Sequence, residues 1–242
     1  MTVADTPWGR WEPASPAEAA ALFATFPAAW WIAGGYAIEL AVGRPLRAHG
    51  DLDVAVLRHD QLAVQHVLAG WEWWAADPPG TLRRWEPDER LPFGVHDIWC
   101  RPRPDCPWRI QIILEEATGT DWMSRRDPRI RRPLASLGQV SPTGIPYLAP
   151  EVQLLYKAKA PRPKDDLDFA AALPLMTTRQ RRWLVGTLSP EHPWSRQLTN
   201  GNATPDEVAS SGNLGLHDPV TGPTTLSSTR NPEQLRGTSD LS

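Results

Sequence analysis

Apolar and polar positions run along the chain in short blocks whose period separates strands from helices. Ser15-Pro16-Ala17-Glu18 combines a hydroxyl cap, a proline at the first helical position and a glutamate three places after the cap, predicting a helix that Pro27 ends. A short apolar run over 30–33 reads as the first strand. The pair Gly34-Gly35 follows as a turn, then a helix over about 36–42 stopped by Gly43. DLDVAVL, over 51–57, is a second strand, and 60–69 has helical periodicity closed by Gly70. The runs 71–76 and 81–86 flank Asp77-Pro78-Pro79-Gly80 as a hairpin, and 95–101 and 108–116 are further strands. Residues 121–146, rich in Arg and Pro, predict an irregular connection with short strands. From Pro150 the texture turns helical: PEVQLLYKAKA, then KDDLDFAAAL after the break at Arg162-Pro163, then RQRRWLVGTL capped by Thr177 or Thr178.

This order predicts an α+β fold: a small mixed β-sheet with helices on one side, plus a C-terminal helical segment. The expected division is a core over 1–146, a helical segment over 147–198 and a tail over 199–242. The tail is dominated by Ser, Thr, Asn, Gly and Pro, buries too little apolar surface to offset its ordering entropy, and is expected to be disordered. The length of 242 residues suffices for one large or two small domains. A net charge of −3 gives no general electrostatic case for a nucleic-acid or membrane partner. Cys100 and Cys106 have neither zinc nor CxxC spacing and read as reduced structural thiols. No signal peptide or apolar run of transmembrane length is visible, so a soluble, cytoplasmic protein is expected. The thirteen tryptophans are expected in the core or at the rim of a site.

The candidate chemistry lies between Trp30 and Leu57. On a strand, Asp51 and Asp53 face the same way, and two carboxylates so close are costly unless a cation lies between them. The glycine pair upstream lets a backbone approach a phosphate, and the helix after it offers its free N–H groups to an anion. Metal and triphosphate are therefore expected at one place. Arg47 beside the carboxylates suits a phosphate oxygen bidentately. His49 either bonds a phosphate or braces the loop.

The stretch GGYAIELAVGRPLRAHGDLDV resembles the polymerase-beta-type nucleotidyltransferase superfamily and, within it, the lincosamide and aminoglycoside nucleotidyltransferases. The ordered set carries the resemblance: Gly34-Gly35, Glu39, Gly43, then Arg47-x-His49-x-Asp51-x-Asp53. It covers about residues 29–173. The resemblance implies one or two Mg²⁺ held by Asp51 and Asp53, with a third carboxylate on a neighbouring strand, a place that FGVHDI gives to Asp97. That residue either joins them as a metal ligand bridging the ions or accepts the proton of the attacking hydroxyl. Glu115 and Glu116 are rivals for that third acid, although a solvated rim suits them better. It also implies that Lys157 or Lys164, on the helical segment, holds the β- or γ-phosphate. Asp165 and Asp168 either meet a cationic substrate or pair with Lys164, and pairing or solvation is favoured. Residues 99–132, rich in Trp, Pro and Arg, depart from the family pattern where an acceptor pocket would differ.

The expected activity is transfer of a nucleoside monophosphate, AMP from Mg·ATP, to a hydroxyl of a small molecule such as an aminoglycoside- or lincosamide-like antibiotic. The catalytic set would be Asp51, Asp53 and Asp97, and the nucleotide set Gly34, Gly35, Arg47, His49, Lys157 and Lys164. The alternatives are a toxin-type nucleotidyltransferase acting on protein or RNA, a non-catalytic nucleotide-binding module, and a metal-dependent phosphohydrolase. Oligomeric state is left open.

Overall fold

A hairpin of β1 (Ala4–Thr6) and β2 (Gly9–Trp11) opens the computed structural model, which describes residues 4–200. After it come α1 (Pro16–Leu22), β3 (Trp30–Ile32), α2 (Gly34–Val42), β4 (Asp53–Leu57) and α3 (Gln61–Val67). Then follow β5 (Glu72–Ala75), β6 (Arg83–Arg84), β7 (Asp97–Arg101), β8 (Ile110–Thr118), β9 (Asp121–Met123), β10 (Arg131–Pro133), β11 (Gly138–Val140) and β12 (Pro146–Leu148). Four helices close the described chain: α4 (Pro150–Ala158), α5 (Pro163–Ala172), α6 (Thr178–Thr187) and α7 (Pro193–Asn200). Ser15 and Glu18 form the expected capping box on α1, Thr177 and Gln180 form one on α6, and Gly43 ends α2 at φ 78°.

The main sheet runs β11-β12-β3-β4-β8-β7-β5-β6, with β9 on β8 and β10 on β9. It is mixed, as expected for an α+β fold: β4–β8 and β12–β3 are parallel, while β3–β4 and β7–β8 are antiparallel. Helices stand on both faces, not on one as the pattern suggested. The cause is visible in β4, where Val54 and Val56 face a core shared with α1 and α3. Ala55 and Leu57 face a second core shared with Trp122, Ala149 and Val152. A strand apolar on both faces needs cover on both.

Cross-strand pairing positions the site. Residues paired across a sheet point to the same face. Asp53 pairs with Gln111 on β8, and Asp97 pairs with Ile113 on the other edge of the same strand. With the alternation along β8, this sends Asp53, Asp97, Gln111, Ile113 and Glu115 to one face.

Several boundaries differ from the pattern. Asp51 and Leu52 precede β4, and the Leu52 carbonyl, accepting from Gln111 N–H (2.8 Å), leads the chain into the sheet. The glycine pair forms the first turn of α2 and not a turn ahead of it. The division expected after residue 146 falls inside β12, which pairs with β3. α7 is an addition: Trp194 stacks on Phe169 of α5 (4.5 Å between centroids) and donates to Asp166 (2.8 Å), so its apolar face is held by tertiary packing. Of the tail expected to be disordered over 199–242, Thr199 and Asn200 instead end α7, and residues 201–242 lie outside the described residues. Among the described residues no helix is long and apolar enough to cross a membrane, and both cysteines are free thiols.

Candidate active site

A cavity of about 430 Å³ opens over the N-terminus of α2 and is lined by Gly34, Gly35, Asp51, Asp53 and Asp97 together. The glycines are required by side chains. A Cβ on Gly34, whose φ is +65°, would lie 2.1 Å from Asp53 Oδ2. One on Gly35 would lie 2.3 Å from His49 Cε1 and 2.4 Å from Arg47 Nη2. Gly35→Ala is therefore expected to displace His49 and Arg47. A melting temperature lowered by roughly 2–12 °C should report it, since overpacking costs about 1–3 kcal/mol. Gly34 N–H donates to Gln153 Oε1 of α4 (2.8 Å), so that amide of the helix start already has a protein partner.

Asp53 is strongly perturbed by its surroundings. Burial, then the charges of Asp51 and Asp97, push its carboxyl up to about 8, and Lys157 and Arg125 offset only part of this. Asp97 accepts from Gln111 Nε2 (3.3 Å) and its Oδ1 lies 4.0 Å from Arg125 Nη1. Among the described residues no three or more His, Cys, Asp or Glu side chains are arranged to hold a metal ion unaided. The donor set still fits a hard divalent cation. Mg²⁺ takes one or two carboxylates and completes its shell with water and substrate phosphate oxygens, and a cluster that drives Asp53 to about 8 is short of positive charge.

The cationic wall is organised by α5. Arg47 lines the cavity, yet its fork is held by Asp168, with Nε to Oδ1 at 3.2 Å and Nη2 to Oδ2 at 3.0 Å. Lys157 Nζ lies 2.8 Å from both Asp165 Oδ1 and Asp168 Oδ2. Burial would raise the Asp165 carboxyl, but hydrogen bonds from Arg162 and Lys157 outweigh it and hold the group well below the usual range. Thus Asp165 and Asp168 do pair, with Arg47, Lys157 and Arg162 and not with Lys164. Lys164 is exposed on the cavity rim.

His49 departs from its grouping with the phosphate contacts. It is 6 % exposed and absent from the cavity lining, stacked on Tyr36 (4.0 Å between centroids) with Nδ1 3.1 Å from Arg47 Nη1. Its Nε2 approaches Glu39 Oε1 at 2.8 Å, at an angle poor for a hydrogen bond. Burial lowers its pKa despite Glu39. Glu39 Oε1 accepts from the amides of Leu46 (2.8 Å) and Arg47 (3.1 Å). Glu39 and His49 together brace the loop that carries Arg47.

Gln153, Tyr156 and Arg125 are among the cavity residues that escaped the sequence pattern, and Glu115, named there as a rival for the third acid, lines the cavity in an environment the pattern did not foresee. Glu115 and Glu116 are buried and not a solvated rim, because β8 is central and continues to Thr118 under β9. Glu115 accepts from Trp122 Nε1 (2.7 Å) and from the Tyr156 hydroxyl, while Glu116 accepts from Arg58 Nε (2.6 Å). Burial and the Glu115 charge hold the Tyr156 hydroxyl well above its ordinary pKa, so it remains a donor. The only signal available was the continuous apolar run before Glu115, which marks a buried strand.

The chain resembles nucleotidyltransferases: residues 17–73, which carry Gly34, Gly35, Arg47, Asp51 and Asp53 of this cavity, match the sequence model of the family described as aminoglycoside-2''-adenylyltransferase. Two solved structures show similarity at low identity. The lincomycin-bound lincosamide antibiotic adenylyltransferase LnuA is 14% identical, with a TM-score of 0.46 over 66% of this chain and 94% of its own. ANT(2'')-Ia, in complex with adenylyl-2''-tobramycin, is 14% identical, with a TM-score of 0.42 over 69% of this chain and 91% of its own. No curated protein matches the chain.

Proposed function

We propose that the protein is an adenylyltransferase that moves AMP from Mg·ATP to a hydroxyl of a small antibiotic-like acceptor. The single observation that carries this reading is the convergence of Asp51, Asp53 and Asp97 on one cavity with Gly34-Gly35 and the cations of α4 and α5. The match over residues 17–73 supplies the reaction class.

In this reading Asp51 and Asp53 hold the divalent cation, with Asp97 beside them. Bound there, the cation neutralises charge that develops on the transferred group and the leaving pyrophosphate. The acceptor hydroxyl attacks the α-phosphorus in line. The new O–P bond forms as the bond to the β-phosphate oxygen breaks, and its electron pair leaves with pyrophosphate. Asp97, whose side chain is 42% exposed and lies on the strand beyond β8 from Asp53, takes the hydroxyl proton. Gly34 and Gly35 bring the start of α2 to the phosphates, where the helix dipole favours negative charge. Arg47, Lys157 and Lys164 face the β- and γ-phosphates.

The test is pyrophosphate release from ATP, GTP, CTP or UTP with Mg²⁺, offered tobramycin and lincomycin, with mass spectrometry of the product. A gain of one nucleoside monophosphate on either antibiotic supports the reading. Release of orthophosphate alone overturns it, as does labelling of macromolecules in cell extract without labelling of either antibiotic.

A further inference from the structure

Among the cations on the cavity, Arg47 and Lys157 are committed to buried carboxylates, with contacts of 2.8–3.2 Å to Asp165 and Asp168. Arg125 is different. It sits on the loop after β9 with its side chain 15% exposed and lines the cavity beside Asp97. Among the described residues its guanidinium has no hydrogen bond, only the 4.0 Å approach to Asp97 Oδ1 and a place 4.9 Å over the Tyr156 ring. A counter-ion serving only to neutralise the aspartates would close to hydrogen-bond distance. At 4.0 Å the guanidinium makes no hydrogen bond to the carboxylate, so its N–H groups remain available to an acceptor oxygen entering the cavity.

The guanidinium is also held from beneath. The Tyr156 hydroxyl donates to Glu115, whose same oxygen accepts from Trp122 Nε1 at 2.7 Å, so the ring cannot swing away. Arg126 lies 5.1 Å over the same ring and donates to the Tyr156 carbonyl, which ties the loop to α4. The result is a cation with planar donors uncommitted, on a fixed aromatic platform, at the three acids where the adenylyl-transfer reading places the reacting phosphorus.

We propose that Arg125 is a further catalytic residue, its guanidinium meeting the non-bridging oxygens of the phosphoryl group under transfer, with Tyr156 as its positioning residue. The proposal rests on the adenylyl-transfer reading. Preorganised charge aimed at such oxygens gives effects of about 10²–10³-fold per donor, and a planar fork suits them better than a point charge.

The experiment is single-turnover pyrophosphate release from Mg·ATP by the full chain, with tobramycin, lincomycin or, failing both, water as the acceptor. ATP affinity is measured in parallel by calorimetry. Arg125→Gln is expected to lower the rate roughly 100-fold while changing ATP affinity less than about threefold, and Arg125→Lys to recover less than a tenth of the loss. In Arg125→Ala, millimolar guanidinium is expected to restore turnover saturably, a response that a purely structural arginine does not give. Circular dichroism of each variant separates folding from chemistry, and Arg125→Lys carries the test if the neutral variants do not fold. The proposal is overturned by wild-type rates in Arg125→Gln, by a loss confined to ATP affinity, or by full recovery in Arg125→Lys. If the wild-type chain releases no pyrophosphate with any acceptor, the adenylyl-transfer reading itself fails and takes this proposal with it.

Discussion

Asp53→Asn is expected to abolish turnover and, at the same time, to stabilise the ligand-free protein above neutral pH. The loss of turnover should be at least on the order of 10²–10³-fold, because the neutral amide removes the charge on which cation and phosphates depend. The stability change has the opposite sign. In the folded chain the Asp53 carboxyl is pushed up to about 8, first by burial and then by Asp51 and Asp97. Below its unfolded value of 3.8 both states carry the proton and there is no penalty. As pH rises towards about 8 the folded state binds more protons than the unfolded one, so this group's share of stability is lost across that window. Asparagine has no proton to lose. The variant's advantage in melting temperature should therefore be small at pH 5 and grow towards pH 9. With chelator present it should reach on the order of 2 kcal/mol, or roughly 4–8 °C. Mg²⁺ with ATP should then raise the melting temperature of the wild type and not that of the variant. An Asp53→Asn protein less stable than the wild type at pH 9 would mean that the carboxylate is satisfied by partners other than a ligand.

What could be read from the chain divides along contact distance. The capping boxes at Ser15 and Thr177 and the stop at Gly43 act within one helical turn, and each appears where the residues imply it. The glycine pair, Asp51 and Asp53 were visible by spacing and Asp97 through the resemblance, and the structure gathers Gly34, Gly35, Asp51, Asp53 and Asp97 on one cavity. The mixed sheet was legible too, but its layering was not. Whether DVAVL has one covered face or two depends on which strands flank it, and β4 lies between β3 and β8, centrally. The partners of the cations were hidden for the same reason. Arg47 and Asp168 stand 121 positions apart, and Gly34 and Gln153 stand 119 apart. Asp165 and Asp168 looked like partners for the adjacent Lys164, yet the turn of α5 buries both acids against Lys157 and leaves Lys164 in solvent. Glu115 and Glu116 looked like a polar strand end because nothing local announces that β9 folds back over them.

Asp168 is where the loop before β4, α4 and α5 meet, and its removal is expected to have the largest effect on stability. The carboxylate is fully buried, receives the Arg47 fork and lies 2.8 Å from Lys157 Nζ, whose side chain is 7% exposed. Asp168→Ala leaves two cations facing each other with Asp165 alone to answer Lys157. Breaking a buried pair by removing one partner costs about 3–5 kcal/mol, which for a domain of this size corresponds to roughly 6–20 °C in melting temperature. Asp168→Asn keeps the shape and an acceptor oxygen and should lose less. The same variant measures what Arg47 and Lys157 do. If they face the β- and γ-phosphates, inorganic tripolyphosphate supplies the missing negative charge. It should then raise the melting temperature of Asp168→Ala by more than that of the wild type at the same concentration. A ligand bound only by the folded state stabilises it by RT ln(1 + L/Kd), L being its concentration, and so by more where it binds more tightly. The gain should fall with added salt, as expected for partly exposed charges. An equal or smaller rise in the variant would place the phosphates elsewhere on the cavity and leave Arg47 and Lys157 as purely structural ties between α5 and the sheet.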